Sequence, residues 1–356
     1  MNTMLKLKSI VTLLIIATFT FSCSSDDNQD IMTPDGGTSD AELIVTESGI
    51  GDKRAANVTG GAMGENVKIR IKFESQSKSM RRLYITQNTG GSGEVPYQIS
   101  TTGVTVDDKK DGSLDLSSDN KNAFDFTIDF PAPNSIDNGT IVYNIWATSG
   151  RGDFRDETKR NVFEDNAVGS ITVKFGTGTN SSSGIKVYEA TILAAPLKDG
   201  SSNTFISVFD GKIYKINQGE EFAALWDFGY YYGATQKASL ASTANYPKLF
   251  DTNNDGTLDA GVAGISGVAA EELNNFYITA STRDFNTTTT ASDLDGISIP
   301  TTERVTDLAI GDVLEFVDNY GRKGLIKIKE LVSGNGSNGK ITFDVKVQAP
   351  TITIKP

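Results

Sequence analysis

Apolar and polar residues alternate with a period of two along much of the chain, which is the pattern of half-buried β-strands. The clearest example is residues 66–74, where four apolar side chains alternate with lysine and arginine. In the first half of the chain, Gly, Asn, Asp and Pro turns separate predicted strands at 42–46, 66–74, 83–87, 124–130, 140–148 and 170–175. Because no helical period interrupts this series, residues 41–176 are predicted to form an antiparallel sandwich of two sheets.

The last long strand of this predicted sandwich is followed by a glycine-rich turn and a closing strand. That order, with Ile141-Val142-Tyr143-Asn144-Ile145-Trp146-Ala147-Thr148 as the strand, resembles the end of bacterial immunoglobulin-like repeats. The number and length of the strands are also those of an immunoglobulin-type sandwich. The resemblance implies an immunoglobulin-like N-terminal module.

A run of small residues at 177–184 predicts a flexible linker to a second, larger β-rich module at 185–350, followed by a tail at 351–356. Alternation within this module predicts strands at 187–193, 204–209, 212–216, 313–317, 324–331 and 340–347. The last three form a predicted antiparallel meander. Asp210-Gly211 predicts a tight hairpin turn between two of the others.

Helical periodicity is confined to two short segments of the second module. Residues 220–224 predict a helical turn, and residues 268–276 predict a short amphipathic helix. The whole chain is therefore predicted to be mostly β, with two domains and one or two short helices.

The densest aromatic cluster of the chain lies at residues 225–232. As a strand, this segment would place Trp226 on the same face as Phe228 and Tyr230, with Tyr231 on the opposite face. Aromatic rings can stack on sugar rings, but several aromatics on one strand face are more typical of a core. Tyr231, and less so Trp226, are therefore the weak candidates for ligand binding.

The N-terminus has the order of a secretory signal. Lys6 and Lys8 precede an uncharged, mostly apolar run at 10–21, which is too short for the roughly 20 residues of a membrane span. Thr20-Phe21-Ser22-Cys23 then resembles the looser lipobox of Bacteroidota lipoproteins. The resemblance implies that residues 1–22 are a signal peptide and that Cys23 is lipidated. The alternatives are an ordinary cleaved signal and an uncleaved anchor helix.

Cys23 is the only cysteine, so a disulfide framework within the chain is excluded. Ser24-Ser25-Asp26-Asp27 follows it and resembles the acidic surface-export tag of flavobacterial lipoproteins. The polar segment 23–40 predicts a flexible tether. Together these resemblances imply a lipid-anchored outer-membrane protein that faces the cell exterior.

The second module also resembles the C-terminal module of many uncharacterised Bacteroidota surface lipoproteins. The similarity rests on Asp227-Phe228-Gly229-Tyr230 and on the predicted meander. It carries no activity with it.

The formal net charge of -12 argues against nucleic-acid binding, because no basic stripe is present to contact phosphates. The chain has no histidine, which excludes Ser-His-Asp hydrolysis and histidine-ligated metal chemistry. Two chemistries remain: carboxylate-based glycoside hydrolysis and the binding of hard cations by oxygen ligands.

A calcium loop is the sharpest local motif. Oxygen-bearing residues occupy alternate positions of a candidate structural calcium site: Asp251, Asn253, Asp255, Thr257 and Asp259. Val262 stands where an EF-hand has its bidentate glutamate, so a complete EF-hand is excluded, and Glu271 or Glu272 could supply the missing ligand. The alternative is a polar turn without an ion.

The predicted function is a non-catalytic binding, adhesion or accessory role at the cell surface, with a glycan or protein partner or within an uptake complex. The alternative is a carboxylate-dependent glycan hydrolase. That activity would require two carboxyl groups about 5 to 10 Å apart in a cleft.

Overall fold

The computed structural model describes residues 39–60, 66–99, 106–107, 109, 111–131, 139–152, 154–156, 169–175, 182–249, 268–334 and 338–352. Nineteen strands and only short helices make up the regular structure of these residues. The prediction of a mostly β chain with several sheets is confirmed.

The described residues of the first module form nine strands. They are β1 Ala41–Thr46, β2 Ala55–Thr59, β3 Asn66–Glu74, β4 Arg82–Thr89, β5 Glu94–Pro96, β6 Leu114–Asp115, β7 Ala123–Pro131, β8 Gly139–Thr148 and β9 Gly169–Phe175. Sheet I has the order β1-β3-β7, and sheet II has the order β2-β9-β8-β4-β5, with β6 paired to β4.

Two strand pairs of this module differ from the predicted antiparallel arrangement. β1 runs parallel to β3, and β2 runs parallel to β9. Both pairs join strands that are not connected by a hairpin, so no tight turn forces them to be antiparallel.

Sheets I and II face each other across a closed apolar core. On β3, alternation places Val67, Ile69, Ile71 and Phe73 in this core and the charged residues outside. Phe124, Phe126, Ile128 and Phe130 of β7 do the same on the neighbouring strand. The alternation of apolar and polar residues that is visible in the sequence therefore places one face of each of these strands in the core of the sandwich.

Ten strands lie in the part of the second module that the structure describes. They are β10 Ile185–Ala194, β11 Asn203–Ile206, β12 Ile213–Lys215, β13 Phe228–Gly233, β14 Lys237–Ser242, β15 Phe276–Ala280, β16 Arg304–Val305, β17 Val313–Asp318, β18 Lys323–Val332 and β19 Lys340–Gln348. Sheet III has the order β12-β11-β13-β14-β16, and sheet IV has the order β10-β19-β18-β17-β15.

Several predictions for this module are confirmed. β17, β18 and β19 form the expected antiparallel meander. β11 and β12 form the expected antiparallel hairpin, although its turn spans residues 207–212 rather than two residues. The predicted helical turn is the helix α1, Glu220–Ala223.

The predicted amphipathic helix at 268–276 is wrong. Only Ala270–Glu272 form a single 3-10 turn, and Phe276 already begins strand β15. Val268, Leu273 and Phe276 are buried as the pattern required, but their burial is achieved by an extended chain that enters sheet IV. Tertiary pairing thus overrides a short helical period.

The two modules share a hydrophobic cluster. Tyr84 and Trp146 lie on the face of sheet II opposite its core, and Phe154 packs edge-on against Tyr84 with ring centroids 4.7 Å apart. The same cluster contains the following residues of the second module: Phe205, Phe209, Trp226, Tyr231 and Tyr246. The junction between the modules is therefore packed like an interior.

The C-terminal segment also joins the modules. The backbone N–H of Glu94 in edge strand β5 donates to the carbonyl of Pro350 at 3.1 Å, and the N–H of Ile352 donates to the Glu94 carboxylate. Gly93 has a φ of +91°, and a Cβ there would lie 2.7 Å from Cβ of Ala349. Residues 349–352, predicted to span the module end and the start of a tail, lie against the first module.

Candidate functional site

A buried ion pair lies at the centre of the junction. Nη1 of Arg155, from the first module, donates to Oδ1 of Asp227, from the second, at 2.6 Å. Nη2 of Arg155 donates to the carbonyl of Ala224, and the guanidinium lies 4.5 Å from the ring centroid of Tyr320. An arginine fits this position because its planar group can bind a carboxylate, a carbonyl and an aromatic face at once.

Asp227 is also bound by a backbone group of its own module. Its Oδ2 accepts the backbone N–H of Val208 at 2.7 Å, and its side chain has no exposed surface. Burial raises the pKa of the Asp227 carboxyl, and the Arg155 guanidinium opposes that shift. The second module thus contains a buried acid whose charge is compensated by the first module.

The turn between β17 and β18 supplies a second ion pair to the junction. Oδ1 of Asp318 accepts the backbone N–H groups of Tyr320 and Arg322 at 3.0 and 2.8 Å. Oδ2 of Asp318 accepts Nε–H of Arg322 at 2.8 Å. This single buried carboxylate therefore fixes both the turn and the arginine that follows it.

The guanidinium groups of Arg155 and Arg322 also lie near the aromatic rings of Tyr320 and Phe209. The guanidinium of Arg155 lies 4.5 Å from the Tyr320 ring centroid and 5.9 Å from that of Phe209, and the guanidinium of Arg322 lies 5.7 Å from that of Phe209. Cation–π contacts of this kind are stronger where water is excluded.

Two pockets open beside these residues, and we call them the large and the small lobe of the junction groove. The large lobe, of about 610 Å³, is lined by residues of both modules, among them Phe154, Asp156, Phe209, Tyr320, Arg322 and Gln348. The small lobe, of about 220 Å³, is lined among others by Asp156, Glu271, Glu272, Asn275, Asn319 and Tyr320. Asp156 and Tyr320 line both lobes.

Lys186 lies at the same junction, where its side chain packs near Gly93 of the first module. Burial, together with the nearby charge of Arg322, lowers the pKa of the Lys186 ammonium to about 8, and the carboxylates of Asp210 and Glu94 partly oppose this. The ammonium is therefore a costly group at neutral pH.

The aromatic residues singled out from the sequence are buried. Trp226 has no exposed surface and Tyr231 is 7% exposed, and both belong to the cluster shared by the modules. The prediction that Trp226 shares a face with Phe228 and Tyr230 is wrong, because β13 begins only at Phe228. Phe228 and Tyr230 instead enter the core between sheets III and IV.

The remaining predicted site residues lie outside the described residues. These are the lipidation site Cys23, the export tag Ser24, Ser25, Asp26 and Asp27, and the calcium-loop residues Asp251, Asn253, Asp255, Thr257 and Asp259. Glu271 and Glu272, the two candidates for a completing ligand, line the small lobe of the junction groove.

The groove residues were missed because local pattern does not identify them. Arg155 and Asp156 follow a glycine-rich turn that contains no strand period, and Tyr320 lies in a turn that the sequence marks only as a connection. One signal was present: Asp227 interrupts an otherwise apolar and aromatic run. A carboxylate in such a run requires a partner.

Neither a metal cluster nor a membrane-spanning helix is found among the described residues. Within these ranges, no group of three or more His, Cys, Asp or Glu side chains is placed to hold a metal ion. No helix among them combines the length and apolar character that a membrane-spanning segment needs.

Comparison with known proteins yields little. No family model matches the chain, and no curated protein matches it. Among solved structures, it is similar to a DUF4466 family protein from Parabacteroides merdae ATCC 43184, with 11% identity and a TM-score of 0.34. The similarity covers 82% of this chain and 95% of that one. At this level the neighbour assigns neither a family nor a function to the chain.

Proposed function

We propose that this chain is a lipid-anchored protein of the bacterial cell surface with a non-catalytic binding role, and that the junction groove is its binding site. The observation that carries the proposal is the position of the groove. It lies where two β modules meet over a packed cluster, and its walls come from both of them. Ligand sites are preferentially found at such interfaces between domains.

The junction provides a preorganised wall for a ligand. Arg155 and Arg322 are fixed by Asp227 and Asp318, and Tyr320 is fixed by a turn whose N–H groups are bound. A ligand that enters the groove would therefore immobilise few additional side chains. Low ordering cost is what allows a shallow groove to bind with useful affinity.

The cell-surface part of the proposal rests on the N-terminal sequence. Cys23 would carry the lipid, and Asp26 and Asp27 would belong to the export signal. Stable membrane attachment requires more than one acyl chain, at about 0.8 kcal/mol per buried methylene, as in a mature bacterial lipoprotein. The folded modules would then be tethered outside the membrane and available to ligands in the medium.

We also propose that the 251–259 loop binds calcium in a structural role. Three carboxylates within nine residues repel one another unless a cation lies between them. Folding of this part of the second module would then depend modestly on calcium.

Carboxylate-dependent glycan hydrolysis is kept as a second candidate because acidic groups do reach the groove. Asp156, Glu271 and Glu272 line its small lobe. An acid pair of suitable spacing could cleave a glycosidic bond without histidine.

Two experiments test the proposal. Cell fractionation of the Cys23→Ala variant should move the protein out of the membrane fraction, and protease shaving of intact cells should cleave the wild type. A screen of glycans and surface proteins for binding, with product analysis of every glycan bound, then separates binding from turnover. Retention of the Cys23→Ala variant in the membrane would contradict the anchor, and turnover would contradict the non-catalytic role.

A further inference from the structure

The C-terminal segment, residues 349–352, continues strand β19 beyond its last residue. The N–H of Ala349 donates to the carbonyl of Gly184, the residue before β10, at 2.8 Å, so the segment starts within sheet IV. The carbonyl of Pro350 and the N–H of Ile352 then bond to strand β5 of the first module. The segment therefore leads from sheet IV to the edge of sheet II.

One edge of this segment is unpaired. Its bonds alternate in direction, as they do in an extended chain, where the hydrogen-bonding groups of successive residues point to opposite sides. Pro350 and Ile352 use the side that faces β5, so the carbonyl of Ala349 and the N–H and carbonyl of Thr351 lie on the other side. These three groups have no hydrogen-bond partner among the described residues. Together they form a short free strand edge.

The free edge borders the large lobe of the junction groove. Ala349 and Thr351 line this lobe together with Gly184 and Ala291. Strand β10 is not extended along the C-terminal segment, because the carbonyl of Ser183 accepts the N–H of Ala291 at 2.9 Å instead. The described part of the chain therefore places no strand beside Thr351, which is exposed.

The remaining lining of the large lobe suits an apolar group. All of its charged side chains have partners: Arg155, Asp156 and Arg322. A charged group of a ligand would have to compete with these interactions. The half-buried ring of Tyr320, by contrast, offers a surface that an apolar side chain can cover.

An extended peptide would use both features of the lobe. When a peptide pairs with a strand edge, the backbone bonds supply affinity, and pockets for alternate side chains supply specificity. The volume of the lobe, about 610 Å³, lies within the range of about 300 to 1,000 Å³ that is usual for ligand pockets. A ligand without a peptide backbone would leave the strand edge unused.

We propose that the large lobe binds an extended peptide segment of a partner protein, which pairs with the chain at Thr351 and places an apolar side chain against Tyr320. This assignment rests on the proposed function of the junction groove as the binding site, and it adds the class of partner.

The test uses random linear peptides displayed on phage and selected on the full mature chain, followed by calorimetry with the synthetic forms of the selected peptides. Thr351→Pro removes a backbone N–H that the described fold does not use, so it should weaken binding at least about tenfold, or about 1.4 kcal/mol. Thr351→Val removes the hydroxyl and keeps the N–H, so it should retain binding.

Thr301→Pro is the matched control for Thr351→Pro. Thr301 also follows a proline, is exposed, and has an N–H without a partner among the described residues. Neither threonine has a positive φ, so proline is compatible with both positions in this respect. Thr301 lines neither lobe, and Thr301→Pro should therefore bind the peptides as the wild type does.

The peptides provide an independent test of strand pairing. Only alternate N–H groups of a strand point towards a given neighbour. N-methylation of successive peptide residues should therefore weaken binding at every second position rather than at all of them.

The assignment is overturned if no selected peptide binds, if binding survives Thr351→Pro, or if Thr351→Val weakens binding as much as Thr351→Pro does. If no peptide binds but a glycan does, and Tyr320→Ala abolishes that binding, the class of partner is wrong while the binding role of the groove stands. Cleavage of a bound peptide would have the opposite effect, because the class of partner would stand and the non-catalytic role would not.

Discussion

Arg155 of the first module and Asp227 of the second form an ion pair from which water is excluded: Nη1 lies 2.6 Å from Oδ1, with 3% and 0% of the two side chains exposed. Neither module could bury its charged residue at this position without the other. The pair is therefore a feature of the junction rather than of either sheet.

Removing one partner should be far more costly than its hydrogen bonds suggest. Arg155→Met leaves the Asp227 carboxylate buried without a cation, and such changes destabilise by about 3 to 5 kcal/mol. The double variant Arg155→Met/Asp227→Asn removes both charges, and the new amide oxygen can still accept the Val208 N–H. We therefore expect the double variant to be more stable than Arg155→Met alone. Urea unfolding of both variants measures this difference.

The control is Arg151→Met, which removes another arginine that pairs across the junction. Arg151 lies 3.3 Å from Glu220, but 29% and 57% of these side chains are exposed. Water screens this pair, so the loss should stay below about 1 kcal/mol. Equal effects of Arg151→Met and Arg155→Met would show that the buried pair does not join the modules.

The contact of the C-terminal segment with β5 should be sensitive to one methyl group. Gly93→Ala places a Cβ in the left-handed region and against Ala349, whereas Gly51→Ala has a similar φ of +75° and open space around it. The backbone strain is common to both, at about 1 to 2 kcal/mol. Gly93→Ala should therefore lower the thermal midpoint further than Gly51→Ala.

Comparing the two variants therefore separates the effect of backbone strain from the effect of the contact with Ala349. If the two variants melt at the same temperature, residues 349–352 do not press against β5 in solution.

The lowered pKa of Lys186 should make the stability of the protein depend on pH. Its ammonium has a folded pKa of about 8, below the usual 10.5, so the unfolded chain binds more protons between these values. Its destabilising effect is fully present below pH 8 and disappears as the pH rises towards 10.5. Lys186→Met should therefore raise the thermal midpoint at pH 7, and the gain should shrink at pH 10.

The matched control is Lys340→Met, because Lys340 is exposed at the start of β19. It should change the midpoint little at either pH. A Lys186→Met gain that is the same at pH 7 and pH 10 would exclude a lowered pKa as its cause.

Calcium should stabilise the chain modestly if the 251–259 loop binds it. Extracellular calcium modules have Kd values of about 10⁻⁴ to 10⁻³ M, so millimolar calcium would add about 0.5 to 1.5 kcal/mol. For a domain of this size the thermal midpoint would rise by a few degrees. Asp255→Ala should abolish this rise, whereas the control Asp199→Ala should not. If the wild type has the same thermal midpoint in calcium and in chelator, the loop is a polar turn that binds no calcium.

The strands were predictable where burial alternates. Residues 66–74 form β3 with the predicted bounds, and each strand of the meander from β17 to β19 matches its prediction within one residue at each end. In these segments each side chain faces either a core or solvent, so a period of two is imposed directly on the sequence.

The prediction failed where a residue's environment comes from a distant segment. Trp226 was assigned to the face of Phe228, but hydrogen bonds from Thr243 and Asn274 to its carbonyl hold it in irregular backbone before β13. Arg155 and Tyr320 belong to different modules, and 165 positions separate them in the sequence. Local periodicity contains no information about such contacts, so the fold was more predictable than the junction.

The groove, the ion pair and the C-terminal contact all require that the modules are packed together in solution, and hydrogen–deuterium exchange of the full mature chain tests this most directly. Peptides that contain the N–H groups of Glu94, bound to the Pro350 carbonyl, and of Ile352, bound to the Glu94 carboxylate, report on the contact between the first module and the C-terminal segment of the second. They should exchange as slowly as peptides from the core strands β3 and β18, because these bonds can open only when that segment leaves the first module. If these peptides exchange as fast as exposed turns while β3 and β18 stay protected, the modules move independently and the junction groove does not exist as a site.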